Sequence, residues 1–183
     1  MTQAGLITLI ALIFSLFEVF IIVNFFRQKR YRFFIENIII FLKVLLFFYF
    51  IFKSKLQIHT FIISFFVISI FGHTFLGQYL NIYNKSKYYD RFLHLMGTFS
   101  YSLFTYSIIN NILRPINYPK FYVTLFVITI GITIGAMFEI FEFAQDTFLK
   151  TKNQHGLKDT NFDLISDVLG SIIAGISSIF VFS

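Results

Sequence analysis

Asp90 and His94 stand four residues apart, Glu139 and Glu142 three, Asp163 and Asp167 four, so in helical segments each pair occupies one face. Carboxylates joined by an imidazole form an oxygen-rich donor set with one nitrogen, which suits Mg, Mn, Zn or non-haem Fe and suits Ca less well. The chemistry open to such a set is metal-dependent hydrolysis or group transfer. Asp90, His94, Glu139, Asp163 and Asp167 would then be the ligands, and Glu142 or Asp159 a general base for water. The same groups also suit a titrating relay in a small proton- or cation-coupled transporter. Like charges gathered in low dielectric need a positive partner, whether protons, a divalent cation or basic side chains. Arg91, Lys150 and Lys158 are the local cations, and if they neutralise the acids the result is a structural ion-pair network.

The elements that must position these groups are membrane helices. Apolar residues make up 57% of 183 and charged residues 13%, with 29 Phe, whereas soluble domains carry roughly a quarter charged residues. Six runs approach the ~20 residues that cross a hydrocarbon core: 5–26, 33–52, 59–77, 92–109, 121–143 and 162–182. They are continuous rather than alternating, which predicts helices and not a barrel. The expectation is an all-α polytopic transmembrane bundle of about six helices in three hairpins, forming one integral membrane domain. Lys43 falls near the middle of the second run and must snorkel or meet an acid.

Ten Lys and Arg residues fall in the loops after the first, third and fifth runs, against four, Lys53, Lys55, Arg114 and Lys120, after the second and fourth. By the positive-inside rule the three richer loops face the cytoplasm and both termini lie outside. All nine carboxylates then gather at the cytoplasmic face. The net charge of +6 reads as a topogenic signal and not as a nucleic-acid footprint. The first run lacks a positive stretch ahead of it and is followed by Arg27 to Arg32, which predicts an anchor rather than a cleaved leader. The absence of cysteine excludes disulfides and thiolate metal sites. Tyr31, Tyr79, Tyr83, Tyr88, Tyr89 and Tyr118 cluster near the predicted interfaces as an aromatic belt.

Each polar pair also has a plainer reading. Asp90 suits a helix start, with the stripe continuing through His94, Thr98, Tyr101 and Thr105. Glu142 suits an interface, and Thr160 to Asp163 fits a variant capping box that leaves Asp167 unexplained. Gly131 and Gly135 lead to Glu139 at four-residue spacing, and Ser166, Gly170 and Ala174 flank Asp167. Both are small-residue seams that let helices approach closely.

The run from Tyr89 to His94 with Gly97, then Glu139 to Glu142, then Asp159, Thr160, Asp163, Asp167 and Gly170 resembles the YjdF-like family of bacterial inner-membrane proteins. His73 with Gly77 is similar to that family's third helix, and the resemblance covers roughly residues 30 to 175. A looser similarity to VanZ-like proteins adds an association with the cell envelope. Phe143 and Lys158 stand where the YjdF-like pattern has tryptophans. The resemblance implies a multi-pass protein of the bacterial cytoplasmic membrane from a family of unknown function. The composition makes the bilayer a partner, and the enzyme and transporter readings add an envelope lipid or a small solute.

Overall fold

The computed structural model describes residues 2–54, 56–113 and 118–182. Lys55 and Arg114, two of the cations used for topology, lie outside the described residues. Six α-helices follow in order: α1 (Gln3–Arg27), α2 (Tyr31–Ser54), α3 (Thr60–Phe71), α4 (Lys87–Leu113), α5 (Lys120–Leu149) and α6 (Leu157–Val181). A π-helical segment, Gly72–Tyr79, continues α3, and no strand occurs among the described residues. The chain is an all-α, multi-pass membrane protein.

By length and apolarity five helices can cross a membrane: α1, α2, α3 with its π extension, α5 and α6. The sequence predicts a sixth crossing at 92–109. At 27 residues α4 is long enough, but Thr98, Ser100, Ser102 and Ser107 make it less apolar than the others. These side chains are buried, and the first three bond to backbone carbonyls of their own helix, as in Thr98 Oγ1 to His94 O at 2.8 Å and Ser100 Oγ to Gly97 O at 3.0 Å.

The chain divides after Ser86 into two compact units. In the first, α1 and α2 form a hairpin whose turn passes through Lys29 at φ 58°. Arg30 closes that turn by lying over the rings of Phe25 and Phe33, at 4.9 and 4.4 Å. Phe14, Ile21, Phe25, Phe48, Ile62 and Ile63 form its core. Lys43 lies on an exposed side of α2. Tyr79 packs on Phe20, Phe25 and Phe75, and Tyr83 folds onto His73. Tyr31, Tyr88 and Tyr118 are exposed.

The predicted third run is not one regular α-helix. The π turn begins at Gly72 and brings His73, Thr74 and Gln78 into buried or half-buried hydrogen bonds, contacts that offset its poorer helical geometry. Gly77 makes room for Tyr83, since a β-carbon there would lie 2.8 Å from ring atoms of that tyrosine.

In the second unit α4, α5 and α6 pack against one another as a three-helix bundle. The α5–α6 connection turns through Lys150 at φ 54° and Gly156 at φ 103°, the latter a conformation that glycine adopts without strain. The predicted glycine seams lie in this core. A β-carbon on Gly135 would sit 2.5 Å from Cβ and Cγ of Asp167, and one on Gly170 would sit 2.5 Å from Thr98 Oγ1 and closer still to the Leu95 carbonyl oxygen. Ser171, Ala174 and Gly175 continue the seam on α6, whereas Ser166 stands at its edge and returns its hydroxyl to Phe162 O.

Candidate functional site

Helix periodicity and the glycine seams together bring the second unit's acids to one place. Asp90 lies in the first turn of α4 and His94 one turn on. Asp163 and Asp167 face them from α6, 4% and 1% exposed, and Glu139 faces them from α5, 5% exposed. Asp90, His94 and Asp163 each offer a ligand atom, and these atoms lie within 4.8 Å of one another.

His94 is held from both sides. Its Nδ1 lies 3.1 and 3.2 Å from the two carboxylate oxygens of Asp167, and its Nε2 lies 3.8 Å from Glu139 Oε1. A ring proton on Nδ1 donated to Asp167 leaves Nε2 as the lone-pair nitrogen, facing Glu139. Gly135 is what admits Asp167 between α5 and α6.

Two oxygens in this cluster have no hydrogen bond among the described residues, Glu139 Oε1 and Asp163 Oδ1, and both are buried. Buried polar atoms are nearly always paired. Glu139 is otherwise engaged: Gln154 Nε2 donates to its Oε2 at 3.0 Å and to its backbone carbonyl at 3.1 Å. Glu142 is half-buried and within electrostatic range of Asp90, Glu139, His94 and Asp163.

Asp159 is within electrostatic range of Asp163 but is not one of the converging ligand residues. It pairs with Arg91 at 3.7 Å and with the exposed His155 at 3.5 Å. Arg91 also lies 4.1 Å over the Phe162 ring and 5.5 Å over Tyr88. Of the three cations weighed as neutralisers, then, Arg91 serves Asp159, and Lys150 and Lys158 are exposed.

The capping reading of Asp163 is corrected. Helix α6 starts at Leu157 with Gly156 as its N-terminal flanking residue, so Thr160 is already inside the helix and Asp163 lies nearly two turns in, buried. Gly156, at φ 103°, precedes the helix and makes no side-chain cap to its first amide groups. Helix α5 likewise runs six residues past the predicted end at 143, so Glu139 is ten residues from its C-terminus. His73, seventeen residues before Asp90 in the sequence, belongs to the first unit and partners Glu36, Gln78 and Tyr83 there.

The sequence reading missed the loop that backs Glu139. Asp146 accepts backbone N–H groups of Asn153 at 2.8 and 3.0 Å and of Gln154 at 2.9 Å, along with the Thr151 hydroxyl. That folds residues 151–154 back along the end of α5 and delivers the Gln154 amide to Glu139. An acid beyond the predicted span, followed by Thr and Asn in a short loop, was the available signal. Glu139, Gln154 and Thr160 also line a shallow open groove with Ile140, Phe143 and Leu157.

A family model described as a predicted membrane protein (DUF2238) matches residues 8–183. An uncharacterized protein of Thermotoga maritima is 39% identical over 103 residues, which is 56% of this chain and 53% of that relative. The matched stretch therefore spans about half the length of the curated relative. No solved structure matches.

Proposed function

The chain belongs to the DUF2238 family of predicted membrane proteins, and we propose that its second unit binds a divalent cation. The observation that carries this reading is the convergence of Asp90, His94 and Asp163 beside two buried carboxylate oxygens, on Asp163 and Glu139, that accept no hydrogen bond. Five carboxylates, Asp90, Glu139, Glu142, Asp163 and Asp167, share this region with one imidazole. The Arg91 guanidinium is engaged with a sixth acid, Asp159. A cation answers both the charge and the unfilled acceptors.

In this reading His94 Nε2, Asp90, Asp163 and Glu139 Oε1 hold the ion. Asp167 is a positioning residue: it accepts the Nδ1 proton, fixes the tautomer and aims Nε2, an arrangement common among metal-binding histidines. Gln154 occupies Glu139 Oε2 and leaves Oε1 turned to the centre. A divalent ion there would supply Lewis-acid polarisation of a phosphoryl or carbonyl oxygen. Glu142, close to the cluster yet outside its ligand set, is the base we assign if the activity is hydrolysis or transfer on an envelope lipid, and the part-apolar groove beside Glu139 suits such a substrate.

The basic loops support placing this site at the cytoplasmic face, with both termini outside, α4 as a sixth crossing sheltered by α5 and α6, and the whole chain as one membrane domain of the bacterial cytoplasmic membrane. The test is elemental analysis of full-length protein purified in detergent without added chelator. About one Mg, Mn or Zn per chain is expected, falling to background in the Asp163→Asn, His94→Ala double variant. Wild-type protein that stays metal-free after dialysis against each ion in turn sinks the proposal.

A further inference from the structure

The first unit holds a separate polar cluster that the cation site does not use. Glu18 lies in the C-terminal half of α1, nine residues before its end at Arg27, and is 0% exposed. Its Oε2 accepts a hydrogen bond from Thr74 Oγ1 at 3.1 Å, and its Oε1 accepts none. The groups facing it come from the π segment: Thr74, and His73 within electrostatic range. Beyond His73, on α2, stand Glu36, 3.5 Å from His73 Nε2, and Arg32, within range of Glu36. Tyr83 completes the set at His73 Nδ1, 2.6 Å away, and Tyr79 packs on the aromatic rings of α1.

The hydrogen bonds of this cluster determine one another. Asn37 spends both amide protons, on Phe33 O and on Gln78 Oε1, each at 2.7 Å. Gln78 is thereby oriented with its own amide protons toward Glu36 Oε1 at 2.9 Å and His73 Nε2 at 3.0 Å. His73 Nε2 is then an acceptor, and its proton sits on Nδ1, donated to Tyr83.

An ionised Glu18 would be a fully buried charge with one hydrogen bond and, among the described residues, no ion-pair partner, an arrangement proteins avoid. A metal ion does not answer the need: among the described residues the one group whose His and acid ligand atoms converge tightly is Asp90, His94 and Asp163, in the other unit. We propose that the first unit is a proton-binding site, with the proton carried on Glu18 Oε1 and the Glu18 carbonyl oxygen, Oε2, fixed by Thr74 on the π turn. The π geometry has a role in this. It sets Thr74 toward α1 and His73 and Gln78 toward α2 from neighbouring positions of one short segment.

The experiment is infrared spectroscopy of full-length protein in lipid nanodiscs at neutral pH. The difference spectrum between wild type and Glu18→Gln should contain one protonated-carboxyl C=O band per chain. Thr74→Val should keep that band and move it to higher wavenumber, because the carbonyl oxygen has lost its donor. Absence of the band from the difference spectrum overturns the proposal, as does a band that sodium addition abolishes, which would make this a sodium site. If Glu18→Gln fails to accumulate, Thr74→Val decides alone, and an unmoved spectrum overturns the proposal. Metal content is measured on the same samples. Glu18→Gln should leave it unchanged, so failure here and failure of the cation site are distinguishable.

Discussion

Replacing Gly170 with alanine tests whether the α4–α6 approach builds the site. The added β-carbon would lie 2.5 Å from Thr98 Oγ1 and closer still to the Leu95 carbonyl oxygen, whereas ordinary contact begins at 3.4 Å. The Thr98 side chain can rotate away, but a backbone carbonyl cannot, so the helices must separate by about 1 Å. Overpacking of this kind costs about 1–3 kcal/mol, against about 1 kcal/mol gained from alanine's helix propensity. A contact with rigid backbone belongs at the upper end, giving a net loss of about 2 kcal/mol. Leu95 follows His94, and Gly170 lies one turn from Asp167, so the same separation lengthens the 3.1 Å His94–Asp167 bond beyond hydrogen-bonding range. Gly170→Ala should therefore lower the melting temperature in detergent by several degrees and lower retained metal together. Gly97→Ala is the internal control: nothing lies within 4 Å of its added β-carbon, so it should be neutral or slightly stabilising with metal content intact. If the two variants melt alike and retain metal alike, helix proximity does not build the site and the reasoning is refuted.

Asp167→Asn keeps the shape and an acceptor for His94 Nδ1 but removes the charge, and should weaken metal binding about 10- to 100-fold in a competition titration; unchanged affinity would remove Asp167 from its positioning role. Asp146→Ala deprives the Asn153 and Gln154 amides of their acceptor, a loss of about 1–3 kcal/mol. It should open residues 150–156 to limited proteolysis, and Asp146→Asn should be milder; equal resistance of all three proteins would show that Asp146 does not hold the loop. Reporter fusions after residues 30, 88 and 155 should report the cytoplasm and those after 55 and 116 the opposite side. Opposite answers at 88 and 155 would dissolve the shared compartment of Asp90 and Asp163.

Helices were legible because continuous apolar runs admit few other structures in lipid. Their ends were not, since apolarity marks the hydrocarbon edge and not the last hydrogen-bonded turn. Helix α5 therefore continues to Leu149, and α6 starts at Leu157 where a capping box at Thr160 was expected. Spacing alone placed Asp90 with His94 and Asp163 with Asp167, because those pairs depend only on the period of a helix. The π turn at Gly72 was invisible to that arithmetic. It is stabilised by partners on α1 and α2, far away in sequence. Gln154 escaped for a similar reason: a loop glutamine carries no pattern until Asp146 folds it onto Glu139.

Gly135 and Asp167 compete for one volume. Because a β-carbon at 135 meets not only the carboxyl carbon but also the β-carbon of Asp167, each 2.5 Å away, trimming the acid to alanine would not relieve the clash. One of the two positions must stay glycine for the helices to remain this close. With Asp167 in place at this helix separation, glycine is the residue that position 135 admits, and filling it would push the acid away from His94.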